Sequence, residues 1–204
     1  SLRLVVGLGN PGLRYARTRH NVGFRLVELL AAEAPWREFQ GLGQVCRAGE
    51  LWLAKPMTYM NDSGTFVGAL SRSRKIPPGQ LLVCFDDVAL PLGRLRLRVK
   101  GSGGGQRGME STLQSLGTTD VPRLRIGIGP QLPGMDSADY VLSRFTAEEE
   151  KVLKTALEDA AKVCDQKAFD DKGFFFNFAL DPIRQLKKKI QRQKINKEMG
   201  TILT

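Results

Sequence analysis

His20 is the only histidine in this chain of 204 residues. Imidazole has an unperturbed pKa of about 6.5, close to neutrality, so acid–base chemistry run through histidine has a single candidate here. The surrounding residues favour chemistry over packing. From Asn10 to Asn21 the chain carries Arg14, Arg17 and Arg19 around Tyr15, Asn10 and Asn21, with no aliphatic periodicity. That composition suits a loop presenting polar groups to an anionic ligand. A carboxylate to orient the imidazole is available in Asp86-Asp87, which follow the apolar run Leu81 to Phe85. An acid at a strand's carboxyl end can accept a hydrogen bond from one ring nitrogen and leave the other free as a base. The alternative is that one of the pair merely begins the turn ending at Pro91.

Two further stretches bear on a ligand. In Lys55 to Gly64, Pro56 stops a strand, and Asn61, Asp62 and Ser63 are each good helix N-caps for the pattern Phe66, Val67, Leu70. Asn61 is therefore either a cap or a second amide pointing into the same cleft as Asn10. Arg94 to Lys100 alternates strictly, which places an apolar side on the core and Arg94, Arg96 and Arg98 on one exposed face. It runs into Gly101-Ser102-Gly103-Gly104-Gly105-Gln106-Arg107-Gly108, where fixed cations meet exposed amides. Such a surface fits a phosphodiester backbone, with a flexible hinge as the structural alternative. It is not a Walker loop, because no Gly-Lys-Ser/Thr follows. Gly7-Leu8-Gly9-Asn10-Pro11-Gly12 also satisfies a dinucleotide fingerprint, but Pro11 and the arginines postpone the next helix to about Val22, and no acidic strand end follows.

The elements that must hold these residues read as an α/β pattern. Leu2 to Leu8 is a buried strand closed by glycines, and Val22 to Ala34 a helix ended by Pro35. Gln44 to Ala48 and Glu50 to Lys55 are paired strands about Gly49, and Leu81 to Phe85 is a second buried strand. Met109 to Leu116 is a short helix, Arg123 to Gly129 a last central strand, and Pro130 to Ser137 a crossing loop. Thr146-Ala147-Glu148-Glu149 opens a capping box for a helix through about Asp165, with Val152, Leu153, Leu157, Ala160 and Val163 inward. The expected fold is a single α/β domain over residues 1–179, a mixed central sheet flanked by helices. A basic amphipathic extension occupies residues 180–204, with Ile183, Leu186 and Ile190 as a narrow stripe beside cations from Arg184 to Lys197.

Composition bounds the partners. A formal charge of +10 points to a polyanion, nucleic acid before an anionic membrane surface. With 42% hydrophobic residues and no apolar run near the roughly 18 residues of a membrane span, a soluble protein is expected. Cys46, Cys84 and Cys164 lie too far apart for a disulfide framework or paired metal ligands, and one histidine leaves no zinc or iron site. The chain starts at Ser1, so a targeting peptide cannot be read from it.

Gly7 to Gly12, Tyr15 and Thr18-Arg19-His20-Asn21-Val22-Gly23-Phe24 together resemble the signature of bacterial-type peptidyl-tRNA hydrolases, a family that includes organellar members. Lys55-Pro56 through Tyr59-Met60-Asn61-Asp62-Ser63-Gly64 resembles a second block, Asp86 with Leu90-Pro91 and Gly93 a third, and Arg123 to Gly129 a fourth. The resemblance runs from Leu4 to about Asn177. It implies hydrolysis of the ester joining a peptide to the 3′ end of tRNA, without metal or cofactor, by a monomer. By position it implies His20 as general base, Asp86 as its orienting acid, Asn10 and Asn61 positioning the ester, and Tyr15, Tyr59 and Met60 shaping the pocket. Where the family has Gly-Gly-His-Asn-Gly, this chain has Gly104-Gly105-Gln106-Arg107-Gly108, which places Gln106 and Arg107 among the expected substrate-binding residues. The arginine replaces an asparagine that helps position tRNA and water. The alternative expectation is therefore a weakened homologue serving as an organellar RNA-binding or ribosome-associated factor. Ribosomal RNA is the partner expected for the basic extension, and a mitochondrial or other organellar matrix the expected location, with the cytoplasm as alternative.

Overall fold

The computed structural model describes residues 2–164, 190–191 and 193–200. Among the described residues, seven strands form one mixed sheet: β1 (Leu4–Gly7), β2 (Arg37–Phe39), β3 (Gly43–Ala48), β4 (Leu51–Pro56), β5 (Leu81–Pro91), β6 (Leu95–Arg98) and β7 (Arg123–Gly129). Their spatial order is β2-β3-β4-β1-β5-β7-β6. The four inner strands β4, β1, β5 and β7 are parallel, and the outer pairings are antiparallel. This explains the sequence pattern: β1 is apolar on both sides because both of its faces are covered.

Within residues 2–164 the α-helices are α1 (Val22–Ala31), α2 (Ser63–Arg74), α3 (Arg107–Leu116), α4 (Ser137–Val141) and α5 (Ala147–Val163). Val5, Leu82 and Cys84 join Leu26, Val27, Leu153 and Leu157 in one core, under α1 and α5. Leu4, Val6 and Val83 turn the other way onto Phe66, Val67, Met109 and Leu113, under α2 and α3. The two-residue strand period thus divides the core between the faces. No described helix is long and apolar enough to cross a membrane.

Several boundaries depart from expectation. α1 ends at Ala31 rather than Ala34, because Ala32 takes a positive φ of 49° and breaks the ladder ahead of Pro35. β5 continues past Asp86-Asp87 to Pro91, since its far half pairs with β7 across a register shift; no turn begins at the acids. Val152 is 45% exposed rather than inward, standing at the edge of the buried stripe of α5. β2 and α4 went unread because each is too short for a periodic signal. The boundary at residue 180, the helix start at Asp181-Pro182 and the stripe residues Ile183 and Leu186 lie outside the described residues. Residues 193–200 are helical and exposed.

Candidate active site

β1 lies at the centre of the sheet, where the chain's connections diverge toward β4 on one side and β5 on the other. Such a switch point opens a crevice beyond the strands' carboxyl ends. Asn10 follows β1, Met60 and Asn61 follow β4, and Asp86 is the middle residue of β5, beyond Cys84, the last residue paired with β1.

His20 sits in a 3-10 turn, Arg19–Asn21, that runs directly into α1. The turn is pressed onto the strands by two glycines. A Cβ on Gly7 would lie 2.0 Å from the Gly23 carbonyl oxygen, and one on Gly23 would lie 2.5 Å from the Cys84 carbonyl oxygen. Only hydrogen fits at either position, which brings the turn against β5. His20 Nδ1 then meets Asp86 Oδ2 at 2.8 Å. The Asp86 side chain is 2% exposed and that of His20 15%. An ionised carboxylate only accepts, so the shared proton belongs to Nδ1 and Nε2 keeps its lone pair.

The strand period decides between the two acids. Asp86 shares the parity of Leu82 and Cys84 and faces α1, the His20 side. Asp87 faces the other way, paired with Arg125 at 2.7 Å and accepting from the Ala89 N–H.

Asn10 is held at three points. Its N–H and C=O are laced to the side-chain amide of Asn21, at 3.0 and 2.9 Å. Its own Oδ1 accepts from the Met60 N–H at 2.8 Å. With the oxygen so occupied, Nδ2 is the end left to meet a ligand, and it has no protein partner among the described residues. Met60 is buried, and its sulfur lies 3.2 Å from Gln106 Nε2.

Arg19 fastens the His20 turn from behind. Its guanidinium makes a two-pronged pair with Glu149 at 2.7 and 2.9 Å and bonds Ser143 Oγ at 2.9 Å. It also lies 4.5 and 4.8 Å from the ring centroids of Tyr140 and Phe145. The hydrogen bond from Arg19 holds the Glu149 carboxyl below its ordinary range, and Arg25 does the same for Glu150. Glu149 closes the capping box of α5 with Thr146 as well. The box was legible in the sequence; its second use as an anchor for the turn was not.

The expected residues therefore divide. His20, Asp86, Asn10, Met60 and Gln106 form one connected set. Asn61 is exposed within the turn Met60–Asp62 and does not cap α2, whose N-cap, Asp62, makes no side-chain cap bond either. Tyr59 is 61% exposed, Tyr15 half-buried under the Arg14 guanidinium, and Arg107 exposed in the first turn of α3. Gln106 turns inward: its Oε1 caps α3, and its Nε2 donates to Asp86 Oδ1 at 3.1 Å. Of the three arginines at the edge strand β6 only Arg98 is exposed; Arg94, just before the strand, and Arg96 are half-buried, and Val99 of the apolar side is exposed. Arg123, buried on β7, binds the carbonyls of Ser102, Thr119 and Val121 and so pins the base of the glycine loop.

Sequence reasoning missed Asn21 and Arg19 as fasteners. The signal for Asn21 was present, an amide immediately after the histidine. That for Arg19 lay only in its distance partner Glu149.

A profile of the family described as Peptidyl-tRNA hydrolase matches residues 4–188. The peptidyl-tRNA hydrolase of Chloroflexus aggregans is 54% identical over 170 residues, spanning 79% of this chain and 88% of its own. That of Aquifex aeolicus is 49% identical over 175 residues, spanning 83% and 91%. Among solved structures, the crystal structure of peptidyl-tRNA hydrolase from Acinetobacter baumannii superposes with a TM-score of 0.73 at 34% identity, covering 79% of this chain and 85% of that one.

Proposed function

The chain belongs to the peptidyl-tRNA hydrolase family, and from that premise we propose how its residues carry the reaction. The protein hydrolyses the ester of peptidyl-tRNA, releasing the peptide and free tRNA. His20 Nε2 removes a proton from water as the oxygen attacks the ester carbonyl carbon. The imidazolium formed is stabilised by Asp86, whose carboxylate also keeps the ring in the productive tautomer. The Asn10 Nδ2 amide donates to the oxyanion that develops, and Asn61 contacts the peptidyl end. Collapse of the tetrahedral species breaks the carbon–oxygen bond to the ribose, and His20 returns the proton to the departing 3′ oxygen. The products are a carboxylic acid and a tRNA with a free terminal hydroxyl. Tyr15 and Tyr59 border the peptide, and Arg107 with Arg98 holds phosphate. The cations from Arg184 to Lys197 support further affinity for tRNA or ribosomal RNA.

The observation that carries this assignment is the 2.8 Å contact between His20 Nδ1 and a buried Asp86, with a second ring nitrogen left over. A binding factor without turnover is not favoured, because such a factor needs no imidazole–carboxylate pair beside an oriented amide. The test is release of the acyl group from an N-blocked aminoacyl-tRNA by the purified protein. Wild type is expected to release it and His20→Ala to fall to the blank; equal rates would refute His20 as base.

A further inference from the structure

Gln106 stands where the glycine loop becomes α3. Gly104 and Gly105 take positive φ values of 63° and 85°, which swing the chain so that Gln106 becomes the N-cap. Its Oε1 accepts from the Met109 N–H at 2.7 Å. A backbone N–H can only meet the oxygen end of an amide, so the NH2 end has one direction left, and there it donates to Asp86 Oδ1 at 3.1 Å. The other carboxylate oxygen, Oδ2, is the one on His20.

A carboxylate held by one donor turns readily about its terminal torsion, which has broad minima. A second donor on the other oxygen fixes its plane, and this donor is itself tied to a helix terminus. Among the described residues Asp86 is the one charged side chain bonded to the imidazole: Arg19, its chain neighbour, is turned away onto Glu149, and Asp87 is on the opposite face with Arg125. Resting on the assignment of His20 and Asp86 as the catalytic pair, we infer that Gln106 is a positioning residue: it fixes the plane of the Asp86 carboxylate, and through it the direction and tautomer of His20, rather than contacting the tRNA.

Two substitutions separate its two bonds. Gln106→Asn keeps a strong N-cap oxygen but is one methylene shorter, so the donor to Asp86 is lost. Gln106→Glu keeps the reach and the cap but sets a second carboxylate against Asp86. Because the chain has one histidine, the imidazole proton resonances in an NMR titration belong to His20 without assignment. With the full chain and N-acetylated aminoacyl-tRNA as substrate, Gln106→Asn is expected to lower kcat on the order of 10-fold, the usual loss for a removed supporting bond. KM, the salt dependence of tRNA binding and the melting temperature should stay as in wild type. Gln106→Glu is expected to move the His20 titration to higher pH, because a second anion favours the imidazolium. A raised KM with unchanged kcat in Gln106→Asn would make Gln106 a substrate contact and overturn the inference. So would unchanged kcat and KM together. Should Gln106→Asn fail to fold, Gln106→Glu decides alone: an unmoved titration overturns the inference, a raised one supports it. His20→Ala run alongside separates the premise, since full activity there would remove the catalytic pair itself.

Discussion

Replacing Asp86 by asparagine changes almost no volume, yet the hydrogen-bond polarity around it makes the substitution severe. Both neighbours of the carboxylate present N–H groups: His20 Nδ1 at 2.8 Å and Gln106 Nε2 at 3.1 Å. Gln106 cannot reverse its amide, because Oε1 is held by the Met109 N–H at 2.7 Å. Asparagine offers one oxygen and one NH2, so one of the two bonds must fail. If its oxygen faces Gln106, its NH2 donates to His20 Nδ1, and the ring proton is forced to Nε2. General-base catalysis, worth about 10²- to 10⁴-fold, is then lost. If its oxygen faces His20, two N–H groups oppose each other in a buried place, at a cost of about 1–3 kcal/mol. The first arrangement keeps every bond satisfied and should prevail, so kcat is expected to fall about 10²- to 10⁴-fold with little change in KM. Single-turnover release of the acyl group from N-acetylated aminoacyl-tRNA measures this, with circular dichroism to show an unchanged fold. The same geometry predicts a rescue. In Asp86→Asn with Gln106→Glu, the new glutamate accepts from both Met109 N–H and the asparagine NH2, freeing the asparagine oxygen to accept from His20. The double variant should regain about tenfold or more over Asp86→Asn alone, a non-additivity that distant sites do not show. Asp86→Asn activity within threefold of wild type, or no rescue, would refute the network.

The remaining expectations concern the supports. Arg19→Ala removes the guanidinium from Glu149, which keeps only Thr146, and opens space between Tyr140 and Phe145, so stability should drop by about 3 kcal/mol in urea unfolding, the lower end for a broken buried pair because the Glu149 side chain is 27% exposed. Glu149 and Glu150 have carboxyls held low by Arg19 and Arg25, so their stabilisation is present above the unfolded carboxylate range and is lost as pH falls through the depressed folded values. In Arg19→Ala and Arg25→Ala, each of which returns a carboxyl toward its ordinary range, stability should accordingly start lower at neutral pH and fall less steeply with acid than in wild type, measured by urea unfolding across pH. Gly23→Ala forces backbone apart at Leu8 and Cys84, where no side chain can yield; a loss of about 3 kcal/mol or more in thermal unfolding, with activity falling in step, is expected. Arg107→Asn should loosen tRNA binding and reduce the log–log salt slope by about one, measured by filter binding across salt concentrations.

Local chemistry was enough to mark much of this protein. The single histidine in an arginine-rich loop, the apolar runs that become β1 and β5, and the Thr146–Glu149 capping box depend on residues close in sequence, and those were legible there. Asn10 could be singled out as a polar residue beyond a strand for the same reason. What the sequence left open was decided by contacts that span the fold. Residue types alone left Asp86 and Asp87 equivalent, and only the family resemblance pointed to Asp86; which of them meets the imidazole depends on strand parity, fixed when β5 is seated between β1 and β7. Gln106 looked like part of a phosphate-seeking loop because glycines and an arginine flank it. Its inward turn follows from α3 packing on α2 and on the turn at Met60, which brings it to Asp86 from 20 residues away in sequence. Arg19 reads as one more surface cation, yet it is buried because Glu149, Tyr140 and Phe145 arrive around it from the far end of the chain. A guanidinium is tolerated inside only when paired and stacked, and pairing of that kind is a property of the tertiary structure alone.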